Sequence, residues 1–359
     1  MNLSASISDS LYVFIMAGGS GERFWPMSRN QLPKHLLRLF GKRTLLEETI
    51  DRIKDVVSME RIFILTNQTQ IEALRKQLPL FAVDHIIVEP AKRDTGPAAA
   101  LATAMARAQQ PNAIVALLPA DAMIRDVATF RRQMNDAIAT AARQPCLVTI
   151  SITPTYPATG FGYLELGAKL YDASNGSAVY QVLHFVEKPD KKTAQTYLQQ
   201  GKFGWNAGMF VWQAEYFLQE CSKLSPPLAD FIRAFPTGDP TAYILEYFPH
   251  LPKNSVDFAI MENASHVVAL RSQFDWDDVG SWTALPTHLG CDSDNNCIRG
   301  STVLVDSKNN IVVANQRTVV LCGIQDLVVV ETSDAVLIGH RDALQNIKKI
   351  HPLLPEELH

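Results

Sequence analysis

Apolar runs and helical periodicities take turns along the first third of the chain, and their order predicts the fold class before any motif is considered. Residues 11–17 form an apolar run of strand length. A helix opens at Thr44, where Thr44 and Glu47 have the spacing of a capping box and Leu46, Ile50 and Ile53 share one face. The alternation continues with a strand at 61–66, a helix at 68–77 and a strand at 85–89. Pro97 suits the first position of an Ala-rich helix running to Gln109, and residues 113–118 follow as another apolar strand. Such βαβ order predicts an α/β fold with a doubly wound, mainly parallel sheet, in which ligands bind beyond the carboxyl ends of strands.

The texture then changes twice. From about Leu147 to Trp282 strand signals persist but aromatic and Pro-rich loops interrupt them, as expected of a substrate-binding half. A polar cluster at 292–296 marks a boundary, and beyond it come β-branched runs at 302–305, 311–313, 318–321, 327–330 and 335–338, then a helix expected at 341–350. Two units are therefore expected, a catalytic one over 1–290 and a small all-β one over 291–359. The second contains no acid, base or anion-binding motif, so its expected role is packing or subunit contact.

With 359 residues, 47% of them hydrophobic and 19% charged, the chain can build a large core. Its net charge of −4 argues against a broad nucleic-acid or anionic-membrane surface, so positive charge should count only locally. No basic region precedes Leu11, and no apolar stretch approaches the roughly 18 residues of a bilayer span, which predicts a cytoplasmic protein without membrane or nucleic-acid partners. Five scattered cysteines without Cys-x-x-Cys, no His-Glu-x-x-His, and Ser281 in Val-Gly-Ser-Trp give no support to disulfide frameworks, zinc hydrolases or serine triads.

Local chemistry concentrates at predicted strand ends. The turn Ala17-Gly18-Gly19-Ser20-Gly21 follows the first strand, with Arg23 and Lys34 close behind. Glycine amides, a guanidinium fork and an ammonium point charge suit a polyphosphate. The turn is neither a P-loop, which needs Gly-Lys-Ser/Thr, nor a dinucleotide loop, whose third glycine is replaced by Phe24. Asp121, after the strand at 113–118, is either a turn-forming aspartate or a magnesium ligand, and Asp275, Asp277 and Asp278 supply candidates for a second carboxylate. Glu187-Lys188-Pro189 ends an apolar stretch, and the proline biases Lys188 towards an extended conformation. The segments 160–165 and 205–210, holding Gly162, Glu165 and Asn206 among aromatics, have the makings of a polyol pocket.

Seven segments in order resemble the mannose-1-phosphate guanylyltransferases: Gly-Gly-Ser-Gly-Glu-Arg-Phe-Trp-Pro…Pro-Lys at 18–34, Glu-Pro-x-x-Arg-x-Thr at 89–95, Leu-Pro-Ala-Asp at 118–121, Gly-Phe-Gly-Tyr at 160–163, Glu-Lys-Pro at 187–189, Trp-Asn-Ala-Gly-Met-Phe at 205–210 and Trp-Asp-Asp-Val-Gly-Ser-Trp at 276–282. The resemblance runs from about residue 12 to 350. It implies a nucleotidyltransferase A-type, Rossmann-like sheet domain with a C-terminal left-handed β-helix-like module that often mediates dimerisation. The implied reaction is GTP plus mannose 1-phosphate giving GDP-mannose and pyrophosphate. By position it assigns Ala17, Gly18 and Gly19 to base and ribose, Gly21, Arg23 and Lys34 to the triphosphate, and Glu89, Asp94 and Thr95 to guanine. Asp121 and Asp278 would hold magnesium, Gly162, Glu165, Glu187 and Asn206 the sugar, and Lys188 its phosphate. The family usually has Asn where Asp94 stands, Ala where Gly96 stands and His where Ala122 stands, which loosens the expectation of strict GTP preference. The cupin-type isomerase domain of longer relatives is absent, so phosphomannose isomerase activity is not expected. A related nucleotidyltransferase for another base or hexose, or a silent sugar-nucleotide sensor, remains the alternative.

Overall fold

A computed structural model describes residues 5–359. Nine strands form the main sheet: β1 (Leu11–Met16), β2 (Ile62–Asn67), β3 (Ile86–Glu89), β4 (Ile114–Pro119), β5 (Leu147–Ile152), β6 (Gly162–Asp172), β7 (Ala178–Glu187), β8 (Phe203–Gln213) and β9 (Val267–Arg271). Their order is β3-β2-β1-β4-β8-β5-β9-β7-β6, with β6 also paired to β8. The pairs from β3 to β4 are parallel, whereas β8 runs antiparallel to both β4 and β5. Side chains of β1 alternate between two cores: Leu11, Val13 and Ile15 enter one, Tyr12 and Phe14 the other. Both faces are thus covered, which is why the strand reads as an unbroken apolar run. The chain passes from β1 to β2 and β3 on one side, then crosses to β4 on the other. A crevice opens at that reversal, beyond the ends of β1 and β4.

Local signals explain most element starts. Thr44 caps the helix Leu45–Ile53 with both capping-box hydrogen bonds formed. The helix predicted from Gln68 begins at Ile71, because Asn67 Oδ1 accepts the Thr69 and Gln70 amides and holds a turn first. The Ala-rich helix begins at Thr95, not Pro97, because Asp94 caps it through the Thr95 amide. The helix Val127–Arg143, capped by Asp126 onto the Thr129 amide, had no counterpart in the sequence expectation.

The C-terminal region is a β-helix. Strands β10 (Cys297–Arg299), β12 (Ile311–Ala314) and β14 (Leu327–Glu331) stack in parallel on one face, with β15 (Val336–His340) antiparallel to β14. A second face pairs β11 (Thr302–Val305) with β13 (Val319–Cys322) in parallel. Buried Asn310 stitches successive corners, donating to Asn296 Oδ1 (3.1 Å) and accepting the Leu327 amide (3.0 Å). Instead of the predicted helix, residues Arg341–Asn346 form a 3-10 stretch followed by one α-turn, Ile347–Ile350. The module packs on the sheet domain: Ile311, Val313, Val328 and Val330 share a cluster with Phe24, Trp25, Leu37, Leu39 and Trp282. Among the described residues no helix is long and apolar enough to cross a membrane.

Candidate active site

The glycine turn leaves β1 at the crevice. Gly18 and Gly19 give their carbonyls to Asn67 Nδ2 (3.2 Å) and Gln70 Nε2 (3.0 Å), so bonds from the far side hold the turn and its amides are left for a ligand. Gly21 has φ +65°, and a Cβ there would lie 2.5 Å from the Lys34 amide nitrogen. Only glycine allows Lys34 to come so close. Ala17 departs from its predicted role: its backbone bonds to Leu65 and Thr66 and its side chain joins the core, so it supports the turn from behind the crevice wall.

Lys34 is buried, and its Nζ donates to Asp121 Oδ2 at 2.8 Å and to the Asp278 carbonyl. Burial pushes the Asp121 carboxyl up, but the Lys34 charge and hydrogen bond, with help from His35 and Arg23, outweigh it and hold it below the usual carboxylate range. Asp278 differs, because burial raises its carboxyl despite Lys34 and Arg23 nearby. The three aspartates after Phe274 divide their work. Asp275 accepts the Arg125 and Asp126 amides, and Asp277 pairs with His288 Nε2 (2.8 Å) and the Val279 amide, which leaves Asp278 facing the lysine. Buried Val279 has φ +47°, a strained conformation for a β-branched residue, immediately beside Asp278. Exposed Arg23 stands at the rim, its Nη1 3.3 Å from where a Gly280 side chain would begin, with Asp278 Oδ2 3.2 Å from the same point.

A cavity of about 350 Å³ is walled by Gly18, Gly19, Gly21, Lys34, Glu89, Asp94, Thr95 and Asp121, so most of the predicted nucleotide residues meet in one place. Burial, reinforced by Asp94, pushes the Glu89 carboxyl up to about 8. Thr95 Oγ1 accepts the Val256 amide (3.0 Å), and Asp94 adopts φ +70° while its carboxyl caps the helix.

A second cluster gathers at the ends of β6, β7 and β8. Gly162 pairs with Glu187 across the strands, and a Cβ at 162 would lie 2.5 Å from Glu187 Oε2. Lys188 Nζ pairs with Glu187 Oε1 at 2.7 Å. Its backbone is not extended as the following proline suggested: φ is +49°, and the Lys188 amide donates to the Phe161 carbonyl. Asn206 Oδ1 accepts from Thr149 Oγ1 (2.9 Å) and the Gly208 amide (3.2 Å), which fixes the amide so that Nδ2 donates to Asp257 Oδ1 (2.9 Å). Phe161 joins Trp205 and Trp276 at ring separations of 5.1 and 5.4 Å as an aromatic wall. Glu165 falls outside this cluster. Three residues beyond Gly162 its side chain points to the opposite face of the strand, and it is paired with Lys202.

Four residues that motif reading passed over also reach these sites. His35 lines the cavity beside Lys34 and Asp121, fully desolvated so that its imidazole is pushed down to about 4 and stays neutral, with Nε2 unpartnered. Arg93 and Lys253 line the same cavity, and Asp257 meets Asn206. Arg93 sits inside a matched motif and His35 directly follows one, so both carried a signal by adjacency; Lys253 and Asp257 carried no such signal.

A family described as nucleotidyl transferase matches residues 12–289, and one described as MannoseP isomerase/GMP-like beta-helix domain matches residues 288–352. The chain belongs to the nucleotidyl transferase family. Among its relatives in that family, a mannose-1-phosphate guanylyltransferase of Klebsiella pneumoniae is 37% identical over 346 residues, covering 93% of this chain and 72% of its own length. The xanthan biosynthesis protein XanB of Xanthomonas campestris pv. campestris is 37% identical over 351 residues, covering 96% and 73%. A crystal structure from Thermus thermophilus, named mannose-1-phosphate geranyltransferase, superposes with a TM-score of 0.87 at 30% identity, covering 96% of this nucleotidyl transferase and 99% of that chain. The resemblance carried by the seven ordered motifs is borne out over most of the chain.

Proposed function

We infer that this nucleotidyl transferase moves GMP from GTP to mannose 1-phosphate, giving GDP-mannose and pyrophosphate. The observation that carries the reading is the convergence of Gly21, Lys34, Asp121 and Asp278 at the strand switch point, a nest of amides and a buried cation built for a polyphosphate. Guanine offers N–H donors to Glu89, with Asp94 and Thr95 at the same wall, and Gly18 and Gly19 face base and ribose. Arg23 and Lys34 take the β- and γ-phosphates. Across the crevice Gly162, Glu187 and Asn206 hold hexose hydroxyls and Lys188 holds the sugar phosphate.

An oxygen of the sugar phosphate then forms a bond to the α-phosphorus while the bond to the bridging oxygen of pyrophosphate breaks in line. The nucleophile is already anionic, so no general base is needed. Asp121 and Asp278 form a hard-oxygen pair that suits magnesium, a cation usually held by one or two carboxylates and substrate phosphates; among the described residues no larger cluster of metal-binding side chains forms a protein cage. When bound there the ion supplies charge neutralisation at the phosphates. Asp121 and Asp278 would hold the ion, and Lys34, bonded beside them, would face the leaving pyrophosphate.

The enzyme acts in the cytoplasm as a homodimer, with the β-helix as the contact. Val303 and Val320 stand side by side on the outer face of β11 and β13, and exposed Val305 extends that apolar strip. The catalytic unit spans 1–290 and the contact module 291–359. The deciding experiment offers four nucleoside triphosphates against mannose and glucose 1-phosphates, with pyrophosphate detection, with and without magnesium. GTP with mannose 1-phosphate should turn over fastest and need the metal. Equal or faster turnover with UTP or dTTP removes the guanylyl assignment, and GDP-mannose binding without any pyrophosphate release makes the chain a sensor.

A further inference from the structure

Asp257 lies outside every motif that pointed to the sugar site, yet the fold brings it there. It opens a five-residue π-turn, Asp257–Met261, the kind of irregular helical turn that re-aims a side chain. The preceding segment is tied to the nucleotide half twice: the Gly96 amide donates to the Asn254 carbonyl and Thr95 Oγ1 accepts the Val256 amide, both at 3.0 Å. A Cβ at residue 96 would lie 2.7 Å from the Asn254 oxygen, so the glycine that departs from the family pattern is what lets this segment settle so close. The segment then delivers Asp257 to Asn206, whose amide is already locked by Thr149 and Gly208.

The charges around Asp257 are unbalanced. Glu187 faces it from the end of β7 and Asp94 from the nucleotide side, while Glu262, on its own turn, also adjoins Glu187. The cation that faces it, Lys188, has its ammonium paired with Glu187. Two partly buried carboxylates beside an oriented amide have acceptors to spare and donors lacking. A polyol supplies donors without adding charge.

We propose that Asp257 is a hydroxyl-binding residue of the sugar site, accepting hydrogen bonds from the hexose next to Glu187 and Asn206. The proposal rests on the sugar-site reading above. Burial and Glu187 push the Asp257 carboxyl up to about 7 in the free protein, and hydroxyl donors favour its ionised form, so sugar phosphate should bind more tightly as pH rises through 7.

The test is steady-state kinetics on the full chain. Asp257→Asn keeps an acceptor for Asn206 and removes only the charge, so a purely structural Asp257 predicts wild-type behaviour. The expected result is a KM for mannose 1-phosphate raised about tenfold, a KM for GTP within about twofold of wild type, and loss of the pH dependence of the sugar KM near 7. Unchanged sugar KM and pH profile overturn the proposal. Glu187→Gln, run in parallel, separates the two readings: if it raises the sugar KM and Asp257→Asn does not, only this proposal fails, and if neither does, the sugar site itself is misplaced. Should Asp257→Asn not fold, Asp257→Glu, which keeps the charge but displaces the carboxyl, is expected to raise the sugar KM at unchanged GTP KM, and an unchanged sugar KM overturns the proposal.

Discussion

The two halves of the crevice solve opposite electrostatic problems. The half proposed for the nucleotide joins the glycine turn and Lys34 to residues 89–95 and Asp121, and it centres on a buried cation, with Lys34 bonded to both Asp121 and the Asp278 backbone. Its underside is stiffened by Phe24, Trp25 and Trp282, the last donating from Nε1 to the Trp25 carbonyl at 3.0 Å, and the β-helix completes that cluster. The other half is assembled from four separated segments around Gly162, Glu187, Asn206 and Asp257, with acceptors in excess and an exposed lysine at the edge. A polyanion needs positive charge fixed in advance. A neutral polyol needs acceptors held apart from competing donors.

Lys34 gives the severest test of that contrast. Lys34→Met removes the buried cation and leaves two acidic neighbours unbalanced, and kcat/KM should fall by about three orders of magnitude in a pyrophosphate-release assay, as for loss of a preorganised charge partner. A loss under tenfold would mean that Arg23 alone carries the phosphates. For the sugar half, Gly162→Ala drives a methyl into Glu187 Oε2. The KM for mannose 1-phosphate should rise about tenfold, the value of one hydrogen bond to a charged group, with the GTP KM unchanged; a rise in both would show the halves are not separable.

Glu89 sharpens the comparison through pH. Burial and Asp94 push its carboxyl up to about 8, above the unfolded value, so the folded state binds the extra proton and stability should fall as pH climbs from about 4.5 to 8. Glu89→Gln should therefore raise the melting temperature by a few degrees at pH 8 and by nothing at pH 4, followed by thermal scanning with no ligand. Guanine N–H donors favour the ionised acid, so the wild-type KM for GTP should fall as pH rises through 8, and the variant should lose that dependence. The smallest effect on turnover is expected from Val320→Lys on the outer β-helix face, which should leave kcat within about twofold while shifting mass by light scattering from dimer to monomer, because a charge is costly to bury in an apolar contact. A large loss of kcat would mean that dimerisation, and not only intrachain packing, holds the nucleotide half in shape.

The strand starts, the capping box and the five β-branched runs were legible because local hydrophobic period and turn chemistry act within a few residues. Gly18 to Lys34 was legible for the same reason, since the glycine turn and its two cations lie within one short stretch. Motif comparison singled out Asp278 among three neighbouring aspartates, and the fold separates it from the others physically, because Asp275 and Asp277 are occupied by backbone amides and His288. Ala17 lies in the core and Glu165 is paired with Lys202, positions that sequence proximity to a motif did not indicate, because it does not say which way a side chain points. On a strand one position decides between crevice and core.

By itself, then, the sequence determined the alternating elements, the glycine turn after the first strand and the class of chemistry, because each is encoded in residues close together along the chain. The tertiary structure alone decided that Lys34 is shared between Asp121 and Asp278, that Gly96 admits the segment carrying Asp257, and that the β-helix braces the glycine turn. Those contacts join positions from 87 to more than 200 residues apart. Nothing in local period or propensity records a contact whose partners meet only after the sheet has closed around them.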